Sequence, residues 1–207
     1  MAGLKLVMAP TAFPVTRDQA KAHVREDSDD FNDQIDAFIE AATEYAEGFQ
    51  GRALIDQTWD LYLDCWPHAV WEGLRRVYAI RIPKPPLIEV IGMFILDSSG
   101  VEQPVDEALY TVDDANEPGR IVWKSGAWPS LPNLPNAVRI RFRAGYLDQG
   151  SSPAVANVPR STRNGILVVM ADLYANRESV VIGESVASVP STAEMLLRLK
   201  KFDLSLA

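Results

Sequence analysis

Side chains able to do chemistry are few in this chain and poorly spaced for it. The two histidines, His23 and His68, lie far apart, and neither stands at metal-ligand spacing from the other or from Cys65, the single cysteine. One cysteine also excludes an internal disulfide and every multi-cysteine zinc or redox arrangement, leaving Cys65 to be read as a small buried apolar group. The adjacent acids Asp29-Asp30 and Asp113-Asp114 sit beside a helix start or a turn, where carboxylates cap or stay solvated rather than act as an acid–base pair. Asp97-Ser98-Ser99-Gly100 lacks the alternating acids and distal glutamate of a calcium loop and reads as a turn. P-loop, dinucleotide-glycine and nucleophile-elbow motifs are missing. No catalytic residue, metal or cofactor is therefore predicted, and the chemistry on offer is that of surfaces.

Two charged surfaces stand out. Arg139, Arg141 and Arg143 alternate with Val138, Ile140, Phe142 and Ala144, so a strand here carries its guanidiniums on one face and its apolar groups on the other. That stripe suits a solvated face, the acidic surface of a neighbouring copy, or a phosphate backbone. The second surface is acidic. Residues 1–50 hold ten Asp/Glu against four Lys/Arg, so they carry −6 of the net −8. Asp33, Asp36 and Glu40 lie on the polar side of a helical stripe; facing a lumen they repel DNA, and facing outward they aid solubility. With the arginines they are the candidate inter-subunit or DNA-facing residues. Four tryptophans near strand ends or loops, Trp66, Trp71, Trp123 and Trp128, suit core packing or interface anchoring.

The elements that must position these groups follow from periodicity. Thr16 and Gln19 form a capping box for a short helix ending near Arg25. Ser28 or Asp29 is placed to cap a second, whose stripe Phe31, Ile35, Phe38, Ile39, Ala42, Tyr45, Ala46 and Phe49 stops at Gly51. From Thr58 the period becomes two through Cys65, and strands are predicted over Val77–Ile82, Leu87–Leu96, Leu109–Val112, Gly119–Trp123 and Ala137–Ala144, broken by proline and glycine turns. Helix returns at Pro159, with Gly165 inside it implying close helix contact or a local weakness, and a capping box at Ser191 and Glu194 opens a last short helix. The fold class is α+β: a helical body with an inserted antiparallel β-rich domain. The expected division is N-terminal helices over 1–56, the β-rich insertion over 57–150, a completing helix and loop over 151–190, and a terminal helix and tail over 191–207. The longest apolar run, Ile166–Ala171, is six residues, against roughly 18 for a membrane span, so no membrane partner is expected.

Several blocks, taken in order, resemble a known family. They are Pro14-Val15-Thr16 with Ala20-Lys21-Ala22-His23-Val24-Arg25, Gly51-Arg52-Ala53-Leu54-Ile55-Asp56-Gln57-Thr58-Trp59, Ile82-Pro83-Lys84-Pro85-Pro86-Leu87, Pro118-Gly119-Arg120-Ile121, Phe142-Arg143-Ala144-Gly145-Tyr146, and Tyr174-Ala175-Asn176-Arg177-Glu178. Together they resemble the head–tail connectors, or adaptors, of tailed phages, prophages and gene transfer agents, over nearly the whole chain. The stretch Pro67–Arg76 looks longer than the family's, and Gly165 departs from it. The resemblance implies a noncatalytic adaptor, made in the host cytoplasm and then built into a virion or phage-like particle at the head–tail junction. There copies of it form a dodecameric ring beneath the portal protein, extend the DNA channel without sequence-specific binding, and give a platform to a stopper or tail-completion protein. It also implies that the terminal segment engages the portal, making Met195, Leu196, Leu199, Phe202, Leu204 and Leu206 the candidate portal-binding residues. Removing Ser191–Ala207 is then expected to leave a folded body that no longer attaches, and the isolated chain is expected to be a monomer or mixed oligomer if the portal templates the ring. The alternatives are a stopper or tail-completion protein and, behind it, a nucleic-acid-binding module resting on the arginine stripe.

Overall fold

A computed structural model of the chain describes residues 2–72, 75–124, 127–147, 157–176 and 191–202. In chain order the elements are β1 (Ala2–Met8), α1 (Arg17–Val24), α2 (Asn32–Gln50), β2 (Gln57–Leu63), β3 (Val70–Glu72), β4 (Arg75–Val77), β5 (Ala79–Arg81), β6 (Leu87–Leu96), β7 (Glu102–Pro104), β8 (Tyr110–Asp113), β9 (Arg120–Trp123), β10 (Val138–Ala144), α3 (Arg160–Ala175) and α4 (Ser191–Arg198). A 3₁₀ turn, Glu107–Leu109, leads into β8. The fold is α+β, and it divides into two compact units.

The β unit takes residues 2–10 and 56–145. Its main sheet has five strands in the order β1-β2-β10-β6-β7, and every pairing in it is antiparallel. Smaller sheets are β5-β9-β8 and β3-β4. Strand β10 sits at the centre, and the period-two reading holds along it: Val138, Ile140, Phe142 and Ala144 are fully buried while the three arginines between them are not. Leu61, Met93, Ile80, Ile82 and Ile121 complete this unit's apolar interior. The paired strands β3 and β4 occupy much of the long stretch Pro67–Arg76. Trp66 stacks on Trp128 at 4.5 Å between ring centroids, with Trp123 at 5.1 Å and Tyr78 edge-on at 6.2 Å from the same ring. Three of the four tryptophans thus pack among themselves.

The helical unit takes residues 11–55 and the described residues from 146 to 202. Both hydrogen bonds of the Thr16–Gln19 capping box form, at 3.1 Å each. Helix α2 buries Ile35, Ile39, Ala42 and Ala46 against Ile166, Val169 and Met170 of α3 and Leu197 of α4 in one core. Gly51 ends α2 at φ +65°, and a Cβ there would stand 2.9 Å from the Phe202 carbonyl oxygen, so both its conformation and the close approach demand glycine. Gly165 is likewise a contact point: a Cβ would meet Leu197 Cδ2 at 2.9 Å.

Four local expectations are corrected. Residues 2–8, grouped by sequence with the N-terminal helices, form an edge strand of the sheet: paired antiparallel with β2 and exposed throughout, they are held by cross-strand backbone pairing rather than by a buried face. Helix α2 starts at Asn32 with Phe31 at the cap position and no side-chain cap; Ser28 instead bonds Asp30 at 2.9 Å, and Asp29 takes the Lys21 ammonium at 2.7 Å. Pro159 is the N-cap of α3 rather than its first helical residue. Cys65 is exposed, because β2 ends at Leu63 and the alternation that would have buried it stops there. The predicted end of α3 at Arg177 lies outside the described residues; within them the helix runs to Ala175, with Asn176 as its C-cap.

Candidate functional site

The arginine stripe is a ladder of ion pairs. Register places Arg139, Arg141 and Arg143 of β10 opposite Tyr62, Asp60 and Thr58 of β2 on one side and Phe94, Gly92 and Glu89 of β6 on the other. Arg141 donates from Nε and Nη2 to both oxygens of Asp60, each at 2.8 Å. Arg139 donates to both oxygens of Glu102 at 2.6 Å, reaches Asp60 at 3.5 Å, and lays its guanidinium 4.2 Å from the Phe94 ring centroid. Arg143 bridges Asp56, with Nε to Oδ1 at 3.0 Å, and Glu89, with Nη1 to Oε1 at 2.6 Å. Bidentate guanidinium–carboxylate pairs of this kind are the strong and geometrically specific ones.

Asp60 is the centre of the ladder and is 3% exposed. Burial pushes its pKa up, but the Arg141 and Arg139 guanidiniums outweigh burial and hold it below the usual aspartate range. Glu102 is also held low, by its hydrogen bonds to Arg139. Three guanidiniums face Asp56, Asp60, Glu89 and Glu102, so these paired groups sum to 3 − 4 = −1, and Lys5, opposite Asp60 on the same face, brings the count to zero. A surface that grips phosphates needs unneutralised cations. The stripe seen in the sequence is thus mostly consumed by its own sheet, and the acids that consume it come from Asp56, Asp60, Glu89 and Glu102, residues spread over the β unit.

The acidic helix is partly neutralised too. Asp36 accepts from Arg17 Nε at 2.9 Å and makes a second, shorter contact with the same guanidinium, while Asp33 and Glu40 stay exposed. Clefts of about 380 and 310 Å³ hold, respectively, Asp97 and the Asp18, Arg17 and Asp36 group, without a histidine in either. Among the described residues no group of three or more His, Cys, Asp or Glu could hold a metal ion.

At the other end of the chain, α4 shows two faces. Ala193 and Leu197 are fully buried in the helical core, whereas Met195 is 61% and Leu199 68% exposed. Leu196 and Phe202 are half-buried, and Leu204 and Leu206 lie outside the described residues. The last carbonyls of a helix have no partner within it. Here two side chains from the end of α2 supply one: the buried Gln50 donates from Nε2 to the Leu197 carbonyl at 2.7 Å and to Thr162 Oγ1 at 3.1 Å, and Arg52 Nε donates to the Lys200 carbonyl at 2.6 Å. The Phe202 amide closes the set on the Gln50 carbonyl at 2.8 Å. This corrects the expectation that Ser191–Ala207 can be removed as a unit, because residues 191–202 complete the core. Sequence reasoning also missed Gln50 and Arg52; the available signal was two long polar side chains flanking the glycine that ends an apolar stripe.

No family model matches the sequence, and no curated protein matches it either. Solved structures do match its fold. A chain in the neck of an empty gene transfer agent particle, computed with C6 symmetry, superposes with a TM-score of 0.72 at 21% identity, covering 96% of this chain and 95% of that one. A chain in the virion of a native gene transfer agent particle gives 0.67 at 19% identity, with 97% and 96% covered. A chain in the neck of the native particle, computed with C12 symmetry, gives 0.66 at 23% identity, with 96% and 94% covered. The connector resemblance in the sequence is thus matched by a fold like that of chains found in such particles.

Proposed function

We propose that this chain is a noncatalytic head–tail adaptor: a structural component of the neck of a phage or gene transfer agent particle, assembled as a ring of identical copies beneath the portal. The observation that carries this reading is the near full-length likeness to chains in gene transfer agent particles, two of them in necks computed with sixfold and twelvefold symmetry. The likeness spans both units of the chain. In this reading the copies form a dodecamer in the host cytoplasm and remain at the head–tail junction of the finished particle, with a stopper or tail-completion protein docked below.

Two features of the chemistry support the assignment. On the ionic face of the β unit the arginines are matched by carboxylates, and with Lys5 the charges cancel, which suits a wall along which DNA passes without being held. The exposed Met195 and Leu199, with the adjoining Leu196 and Phe202 and the following Leu204 and Leu206, form the proposed portal contact. Since α4 is anchored by its opposite face, Met195 and Leu196 are presented on a helix already docked in the core. Counting copies per purified particle by quantitative mass spectrometry tests the proposal. Twelve per particle supports the ring, and a trace, non-integral amount contradicts it.

A further inference from the structure

Among the described residues the five-stranded sheet ends on two edges that no further strand covers. There β1 pairs only with β2, all seven of its residues are exposed, and Leu4, Leu6 and Val7 are 37%, 41% and 43% exposed. An edge strand offers a row of unpaired N–H and C=O groups, which proteins blunt with proline, lysine or a bulge, or by keeping the strand short. Strand β1 is seven residues long without proline, and its guards are Lys5 and a register shift between Leu6 and Met8, so pairing along this edge needs an acid set against Lys5. At the opposite edge, β7 covers only Phe94–Leu96 of the ten-residue β6. Among the described residues, Leu87–Gly92 therefore has β10 on one side and no strand on the other, and Ile91 is 46% exposed there.

The two edges match in direction and in charge. Strand β1 is antiparallel to β2, β2 to β10 and β10 to β6, so β1 and β6 run opposite ways. Copies set side by side in one orientation thus present β1 of one to β6 of the next as an antiparallel pair. Lys5 lies opposite Asp60, but Asp60 is already taken by Arg141 and Arg139, and Lys5 has no ion pair among the described residues. Glu89 is 51% exposed and shares the single positive charge of Arg143 with Asp56. Both Lys5 and Glu89 stand on the ionic face, so setting one against the other leaves Leu4 and Leu6 on the face of Val90 and Phe142.

We propose that the edge strand β1 of one copy adds to the free edge of β6 in the next, with Lys5 paired to Glu89, so that the sheet runs on from subunit to subunit. This rests on the ring reading above. Because the contact joins two different edges it is head-to-tail, the kind that closes into a ring when the rotation per copy allows.

The test uses the full chain in purified particles with Cys65→Ser as background. Lys5→Cys combined with Glu89→Cys should, on oxidation, give a ladder of covalent multimers, and neither single substitution should give one. Lys5→Glu and Glu89→Lys should each lower incorporation into particles, by about tenfold for one lost charge pair worth about 1.4 kcal/mol, and the double exchange should restore it, which a purely local folding defect would not. A dimer from Lys5→Cys alone would overturn the proposal in favour of β1 pairing with itself. A ring without crosslinks would overturn the proposal and leave the neck reading standing. Particles that lack the chain altogether would remove both.

Discussion

Strand β10 and helix α4 both carry a pattern that reads as an exposed binding surface, and the fold treats them differently. On β10 the three arginines are answered within the β unit by Asp56, Asp60, Glu89 and Glu102, so a stripe that looks reactive in sequence is internally balanced. On α4 the apolar set is split: Leu197 goes to the core, while Met195 and Leu199 remain uncovered. Periodicity fixes which face a residue occupies, and the partner across that face decides whether it is used up. What is left for other proteins is therefore apolar on α4 and electrostatically weak on β10.

The sharpest way to break this contrast is at Leu197. Leu197→Ala opens a cavity against Gly165, and a fully buried leucine truncated in this way costs about 2–5 kcal/mol, a large share of the stability of an ordinary domain. Ending the chain before Ser191 should cost more, with loss of the cooperative thermal transition of the helical unit, whereas ending it after Phe202 should leave that transition in place. Melting curves of the three variants separate these outcomes.

Next in size is Asp60. Asp60→Ala leaves Arg141 and part of Arg139 without a partner; breaking a buried pair costs about 3–5 kcal/mol, and since the Arg141 side chain is 37% exposed and can rehydrate, about 2 kcal/mol is expected in chemical denaturation. The same carboxylate gives a pH signature. Its folded pKa lies below its unfolded one, so its contribution is complete above the unfolded value near about 4 and is lost as pH falls through the lower folded value. Glu102 adds to the loss in the same direction. The wild type should therefore lose stability as pH falls below about 4 by more than the Asp60→Asn variant does; equal slopes would mean that the ladder does not hold Asp60 as described.

The smallest effects on folding belong to the exposed side of α4. Met195→Ser and Leu199→Ser should change stability by less than about 0.5 kcal/mol, yet lower the yield of particles with attached tails, because their apolar area is offered to a partner. A stability loss of the size seen at Leu197 would erase the distinction between the two faces. DNA retention sharpens the other half of the contrast. The wild type should show no salt-dependent binding, whereas Asp60→Asn with Glu102→Gln, which frees two guanidiniums, should gain a measurable salt slope.

Much of the fold was legible in the sequence because the local signals agreed with the packing. The capping box at Thr16, the stop at Gly51, the bounds of β6 and the alternation along β10 all depend on residues near in sequence, and each is where periodicity places it. What escaped depends on distant partners. Whether Arg141 is free is decided by Asp60, and whether α4 is a detachable appendage is decided by Gln50 and Arg52. Strand β1 escaped for the related reason that one exposed edge strand carries no buried face to mark it.

The central claim is that this chain is a ring-forming part of a particle neck. A cryo-EM reconstruction of purified particles carrying a tagged copy tests it most directly. The account predicts tag density in a closed ring at the head–tail junction, touching the portal through the exposed side of α4; density confined to the tail, or particles complete without the chain, would contradict it.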